Sequence, residues 1–412
     1  MEKNNKIAVI GAGIVGLCNA LQLQQQGYQV TLFDKHGIGE QCSKGNAGHF
    51  ATEQIFPLAD SALLPKLPKM LLDSLSPLRI DWRYFAKAMP WFIKFCYNML
   101  GSKYEQHTEA LKVLNKDAIN AYARLLGDSF EEHVTLRGSL LTFEHGNLNE
   151  IRALQNKFVK EGIKVDLLNQ EEVQALEPQL SVRIKYALLF TEVGHTADPY
   201  QLSLCVYNKF VSLGGLFVQQ QVTGIYQAGS AWKITTHQTE HGQFEKIIVS
   251  TGAWSKRLCK HLGYQLPIEA ERGYHNMLST HALSRPVASA DRQFIMTPMN
   301  TGLRLAGTVE FAGLDAPPMY ERAACLLAHA KNMLKDFDDV QQGEHWMGPR
   351  PSLPDSLPVI CEAPNHPNII FSLGHQHLGL TQAAISSELV ANLVAKQPSA
   401  FDISPYSITR FQ

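Results

Sequence analysis

The apolar positions of this chain change period several times, and each change marks an element. Lys6–Ile10 (KIAVI) is a short β-branched run, 17–27 repeats apolar residues at helical spacing and closes on a glycine, and 28–33 returns to a strand pattern with Asp34 at its end. Farther along, 199–211 reads as a helix followed by a returning strand that ends at Val222. Residues 246–249 form another apolar strand, which runs into the turn Thr251-Gly252-Ala253-Trp254. Both strands are expected to rejoin a parallel sheet begun by the first one. Residues 225–236 and 244–249 suggest a small antiparallel insertion between them.

The remaining stretches predict a second body. Between 55 and 100 Leu and Pro are frequent and the run DWRYFAKAMPWFIKFCYNML is aromatic, with Pro90 expected to break its amphipathic helix. This stretch is read as helices packed over the substrate side, the rival reading being a surface that touches membrane or a partner. Residues 107–130 predict one long helix, followed by the strand-like SLLTFE; 151–180 predict a helix pair and 320–337 a further helix. A hairpin is expected over 292–311, turned at 300–302. The fold class that follows is α/β: a Rossmann-like cofactor domain interleaved with an α+β domain built on a mainly antiparallel sheet.

The chemistry begins at the first turn. Gly11, Gly13 and Gly16 stand at the spacing GxGxxG, with Ile14 and Val15 between, directly after a strand and opening a helix. The first glycine permits the tight turn, the second lets backbone approach a pyrophosphate, and the third lets helix pack on strand. Asp34, followed by Lys35, is placed to accept from a ribose 2'-hydroxyl, which disfavours a 2'-phosphate and leaves FAD and NAD open. The next stretch, QCSKGNAGHF, does not continue a βαβ unit. Its small and polar residues Ser43, Asn46, Ala47, Gly48 and His49 suit a loop that lays N–H groups along a second portion of a cofactor.

Composition removes several classes. With 37 Lys and Arg against 38 Asp and Glu in 412 residues, the net charge of -1 offers nothing to nucleic acid. The seven cysteines are scattered singly, which argues for a reducing compartment and against a thiolate metal site. His375 and His377 alone do not make a zinc site, so no metal is expected. The first residues lack the organisation of a signal peptide, and no stretch reaches the roughly 20 consecutive apolar residues that span a bilayer. A cytoplasmic location is expected, with peripheral attachment at the inner face of the membrane as an option.

Taken together, GAGIVG at 11–16, SKGNAGHF at 43–50, ADP after Thr196, VSTGAW at 249–254, WMGPRPSLPDSLPVI at 346–360 and GHQHLGLT at 374–381 resemble the FAD-dependent D-amino-acid oxidase and glycine oxidase superfamily. The resemblance covers essentially the whole chain and is greatest to the bacterial D-amino-acid dehydrogenase small-subunit group. It implies FAD as cofactor and a discontinuous FAD-binding domain of 1–55, 195–255 and 346–412, with 56–194 and 256–345 binding substrate. Val222, Thr251, Gly252 and Trp254 are implied to touch FAD. Gly374, His375, Leu378, Gly379, Leu380 and Thr381 are implied to pass its pyrimidine ring, where the helix near Leu380 points its positive end.

The implied reaction is oxidative deamination of a D-amino acid to a 2-oxo acid and ammonia, by hydride transfer from the α carbon to flavin N5. A D-hydroxyproline or D-proline type of imino acid, sarcosine or glycine are alternatives, as is a flavin-binding subunit of a larger complex. Arg350 is implied to hold the α-carboxylate, for which a guanidinium fork is suited. Arg272 and Tyr274 are candidates by strand alternation. His49 is implied to sit at the reactive edge and His377 to face substrate, where Gln376 and His377 depart from the broad-range dehydrogenases and suit a narrower, cyclic substrate. A membrane quinone chain is the implied electron acceptor, and the oligomeric state is left open.

Overall fold

The computed structural model describes residues 5–63, 77–335, 337 and 342–412. A six-stranded sheet runs in the order Val359–Glu362, Ile369–Leu373, Lys246–Val249, Lys6–Ile10, Gln29–Asp34, Leu216–Gln219. Its neighbours pair in parallel, except that Val359–Glu362 lies antiparallel at one edge. Strand alternation divides the first strand between two cores: Ile7 and Val9 join a helical one, Ala8 and Ile10 the other. Helices Ile14–Gln25, Pro199–Ser212 and Gly379–Ala395 make the helical layer. The second face is covered by an antiparallel sheet of Val222–Ala228, Ala231–Thr236 and Glu240–Phe244, through Trp232, Ile234 and Phe244.

Two expectations about this insertion change. The returning strand ends at Gln219, not Val222, because Gln220 N–H turns back onto Val218 O (3.0 Å) and Val222 opens the next strand. Lys246–Val249 belongs wholly to the parallel sheet, where all four residues are buried. The last long helix is apolar nearly all round, and Gln376–Ala395 is long and apolar enough to cross a membrane by length and composition. Here it is a core helix, with Leu380 to Ser387 all buried.

The second sheet has nine strands. Its path runs Gln342–Ser352, Glu269–Leu278, Gly302–Phe311, Phe294–Met299, Val287–Ser289, Ser139–Phe143, Tyr186–Phe190, Val165–Asn169, and Leu78–Ile80 pairs with Gly302–Phe311 off that path. Most pairings are antiparallel, and the hairpin places Met299 opposite Gly302. Arg350, in a run bounded by prolines that reads as a loop from the sequence, is in a strand. Pro349 and Pro351 beside it are tolerated because the strand is at the sheet edge, and a domain boundary at 346 falls inside that strand.

The helices depart from the sequence reading in three places. Helix Trp82–Tyr97 continues through Pro90; the stacked rings of Trp91 and Phe95 (5.0 Å) and the packing of Trp91 and Phe92 on Phe311 offset the backbone bond the proline lacks. The long helix divides into Gly101–Lys116 and Ala118–Leu126, with Asp117 at the break gathering Asn120 and Arg124, and Gly127 ends the second piece at φ 54°. Leu111, Leu114 and Tyr122 pack into the helical core of the first sheet, so these helices join the cofactor body and not the substrate domain. The expected helix pair is Leu148–Lys160 and Gln170–Leu176 with the strand Val165–Asn169 between, and the later helix spans Glu321–Met333. Part of the 55–100 stretch, 64–76, lies outside the described residues.

Candidate active site

A cavity of about 810 Å³ runs from the first glycine turn to the second sheet. At its start Gly11 has φ +107°, and a Cβ there would lie 2.3 Å from Ser250 O. A Cβ on Gly16 would lie 1.8 Å from Gly11 O, so this glycine closes helix onto turn. Gly13 is the N-cap of Ile14–Gln25 and brings no side chain to the helix end; Ser43 Oγ accepts from Ile14 N–H at 2.8 Å. Asp34 accepts from Ala12 and His36 N–H, both at 2.8 Å, which fixes the carboxylate at the strand end. Lys35 Nζ lies 4.5 Å over the Trp254 ring, and Val222, Thr251 and Gly252 line the same stretch. The space left by the glycines, a helix N-terminus whose N-cap is a bare glycine, and an acid at the second strand end fit a dinucleotide with a free ribose hydroxyl.

The loop carrying Ser43 to His49 is pinned by the second sheet. Arg304 donates to Lys44 O and Asn46 O, and Cys42 Sγ donates to Pro349 O at 2.8 Å. His275 stacks on Trp346 (5.1 Å) and donates from Nδ1 to Gly45 O, while a Cβ on Gly45 would lie 2.3 Å from Trp346. Gly48 has φ +72° and its carbonyl accepts from Thr196 N–H, which aligns His49–Phe50 against Gly194–His195.

At the far end of the cradle, strand Ile369–Leu373 reaches Gly374 at φ +79°, where a Cβ would lie 2.3 Å from a Leu353 methyl. Thr381 Oγ1 accepts from Ala51 N–H (2.9 Å), and Tyr122 O–H donates to Leu380 O (2.7 Å). His375 is buried, and its Nε2 pairs with Ser386 Oγ at 2.9 Å; burial pushes its pKa down to about 3. It is a buried ring in the wall, held in place by Ser386. Gly374, His375, Gly379 and Leu380 line the cavity, whereas Leu378, Thr381, Gly16 and Gly48 stand behind it.

Arg350 and Glu271 are cross-strand partners, and Arg350 Nη1 donates to Glu271 Oε1 at 3.1 Å. Ser352 Oγ donates to the other Glu271 oxygen at 3.0 Å. Arg350 lies against Gly273, where a Cβ would stand 2.2 Å from Nη2. Alternation does put Arg272 and Tyr274 on one face, but it is the face of Glu310. Tyr274 O–H donates to Glu310 Oε2 at 2.5 Å, and Arg272 Nη1 lies 3.2 Å from the same oxygen while Nη2 donates to Ala316 O. Arg272 is outside the cavity wall, and Tyr274 meets it with its hydroxyl committed to Glu310. Strand period alone sets this: residues adjacent to Glu271 and Gly273 face away from Arg350.

On the remaining wall, His49 Nε2 stands 3.6 Å from Glu53 Oε1, with both side chains buried. Burial, then the neighbouring His195 and His377, pushes the His49 pKa down to about 3, and burial pushes Glu53 up to about 8. The pair is therefore a neutral ring beside a neutral acid rather than an ion pair. His377 Nε2 meets Gln54 Oε1 at 2.6 Å, and burial pushes its pKa down to about 4, with Glu271 and Arg350 acting in opposite senses. Glu53 and Gln54 escaped the sequence reading, although they follow directly in the same segment, as the ATEQ after the loop.

A nucleotide cradle at the six-stranded sheet and an arginine anchored on the nine-stranded sheet open on one cavity, an arrangement suited to a dinucleotide-dependent enzyme. The chain belongs to the DAO family of FAD-dependent oxidoreductases, whose model matches residues 6–393. FAD is its cofactor. A D-amino-acid oxidase of Bradyrhizobium diazoefficiens is 33% identical over 424 residues, covering 100% of both chains. A D-amino acid dehydrogenase of Paramagnetospirillum magneticum is 29% identical, covering 98% of this chain and 99% of its own. The glycine oxidase structure from Geobacillus kaustophilus superposes with a TM-score of 0.74 at 20% identity, covering 98% of each chain, a likeness of fold.

Proposed function

We propose that the protein oxidises a D-amino acid, releasing a 2-oxo acid and ammonia, with a cyclic D-imino acid as the alternative that leaves a cyclic imine. The observation that carries this reading is Arg350, whose fork lines the same cavity as the cofactor cradle. With Nη1 engaged by Glu271, its other donors are left for a carboxylate, and charge-assisted bonds hold such a group in one orientation. Bound FAD supplies hydride acceptance. Burial pushes the His49 and His377 rings down and the Glu53 carboxyl up, which leaves the Arg350–Glu271 ion pair as the charged feature of this wall. The handedness rests on two relatives whose names specify D-amino acids.

For the onward acceptor we infer a membrane quinone chain reached from the inner face of the membrane. Helix Trp82–Tyr97 supports this, since Trp82, Ile93 and Tyr97 are exposed beside Arg83, Lys87 and Lys94. The test is anaerobic bleaching of the purified flavoprotein by amino and imino acids of both hands, followed by air or a quinone. Rapid bleaching by D-compounds with reoxidation by quinone is expected. Bleaching by L-compounds alone would sink the assignment.

A further inference from the structure

Among the described residues, five cavity-wall side chains carry a buried polar atom with no hydrogen-bond partner, and two of these atoms, His49 Nε2 and Glu53 Oε2, are neighbours. They belong to side chains that face each other at 3.6 Å, too long for a hydrogen bond, and both side chains line the cavity that Arg350 also lines. Buried polar groups are ordinarily satisfied, so this pair is completed by water, cofactor or substrate in the cavity it lines. The same cavity has an apolar cluster on its wall, with Phe56, Leu141, Phe158 and Phe190. On the polar side His377 meets Gln54, and His195, whose own buried Nδ1 also has no partner among the described residues, lies opposite His49 in the two-stranded pairing.

We propose that Glu53 and His49 form a side-chain subsite that selects a substrate bearing a hydroxyl on its side chain or ring. A hydroxyl is the group that completes both: its oxygen accepts from the carboxylic acid of Glu53, and its hydrogen goes to Nε2 of His49 in the tautomer protonated at Nδ1. A carboxylic acid that stays protonated near neutrality through burial acts as such a donor elsewhere in enzymes, and Glu53 has the burial to do so. His377 lines the same cavity as Arg350, Glu271 and His49. The substrate class is then a hydroxylated amino or imino acid, carboxylate toward Arg350 and hydroxyl toward Glu53. This deepens the amino-acid reading and rests on it.

The test compares matched pairs on the holoenzyme: serine with alanine and 4-hydroxyproline with proline, in both hands, by anaerobic flavin bleaching. Calorimetry adds 3-hydroxybutyrate against butyrate, which have no amine to oxidise and report binding alone. The expected result is a preference of about tenfold or more for the hydroxylated member in wild type, because a site built for a hydroxyl rejects the analogue that lacks it. In Glu53→Leu the ratio should collapse toward one, and in Glu53→Gln, which keeps a donor, it should be intermediate. Equal rates and affinities within each pair in wild type would overturn the subsite, as would equal losses on both members in Glu53→Leu or a preference for cationic side chains. If no amino or imino acid bleaches the flavin but 3-hydroxybutyrate still outbinds butyrate, the oxidation reading falls and the hydroxyl subsite stands.

Discussion

Arg350 rests on Gly273: a methyl group built on that glycine would come within 2.2 Å of Nη2 and 2.3 Å of the guanidinium carbon. The glycine is thus a floor for the guanidinium rather than a turn residue. Gly273→Ala should displace the fork by a fraction of its own width. A misplacement of that order lowers kcat/KM by roughly 100-fold. Flavin absorbance of the purified variant should be unchanged, and loss of the flavin would assign the glycine to folding instead.

Arg350 itself is predicted to act mainly on substrate binding. Arg350→Met should raise KM by about 10- to 100-fold, the range expected for a lost charge-assisted hydrogen bond. Arg350→Lys should rescue little, since an ammonium has no planar fork. Steady-state kinetics with the best substrate of the bleaching panel would decide this; a Lys variant close to wild type would mean that charge alone suffices.

The cofactor cradle makes a simpler prediction. Gly11→Ala brings a side chain into positive φ and to 2.3 Å from Ser250 O, so the variant should purify colourless if it folds. Asp34→Ala removes the acceptor of two backbone N–H groups, which should weaken FAD retention measurably in equilibrium dialysis. A fully yellow Gly11→Ala protein would show that the turn has room to shift.

Acid should weaken the fold in a definite window. Burial is the main cause that holds His49, His275 and His375 near pKa 3 and His195 and His377 near 4, against an ordinary 6.5. The unfolded chain therefore binds more protons between about pH 3 and 6.5, and stability rises with pH across that range by up to about 1.4 kcal/mol per pH unit for each ring. Glu53 runs the other way: its pKa is raised to about 8, so the folded state binds the extra proton and stability falls as pH climbs from 4.5 to 8. Urea midpoints of wild type and Glu53→Gln across pH 4 to 9 would check both, the variant losing its share of the decline between pH 4.5 and 8.

What the sequence disclosed was what is local. The turn Gly11 to Gly16 and the acid at Asp34 form one continuous unit, so their spacing carries the site. The partnership of Arg350 with Glu271 is a matter of register between strands about 80 residues apart, which no spacing along the chain records. Alternation correctly put Arg272 and Tyr274 together, yet it does not say which face of a strand meets the cavity, and Glu310 claimed that face. Glu53 was hidden because an acid in a loop is ordinarily solvated; only the packing around it makes it neutral. Pro90 misled in the opposite sense, since aromatic packing on Phe311 outweighs one missing backbone bond.

The order of the parallel sheet has a consequence for synthesis of the chain. Strand Lys6–Ile10 acquires one neighbour almost at once, in Gln29–Asp34, but its other side waits for Lys246–Val249, and that strand in turn waits for Ile369–Leu373. The pyrophosphate turn thus leaves the ribosome long before the wall that would keep a nucleotide in it. A nascent chain must carry half a binding site with an exposed sheet edge for most of its translation, a state that is slow to complete and open to mispairing. The cradle for the flavin is complete only once the final strand and helix have docked.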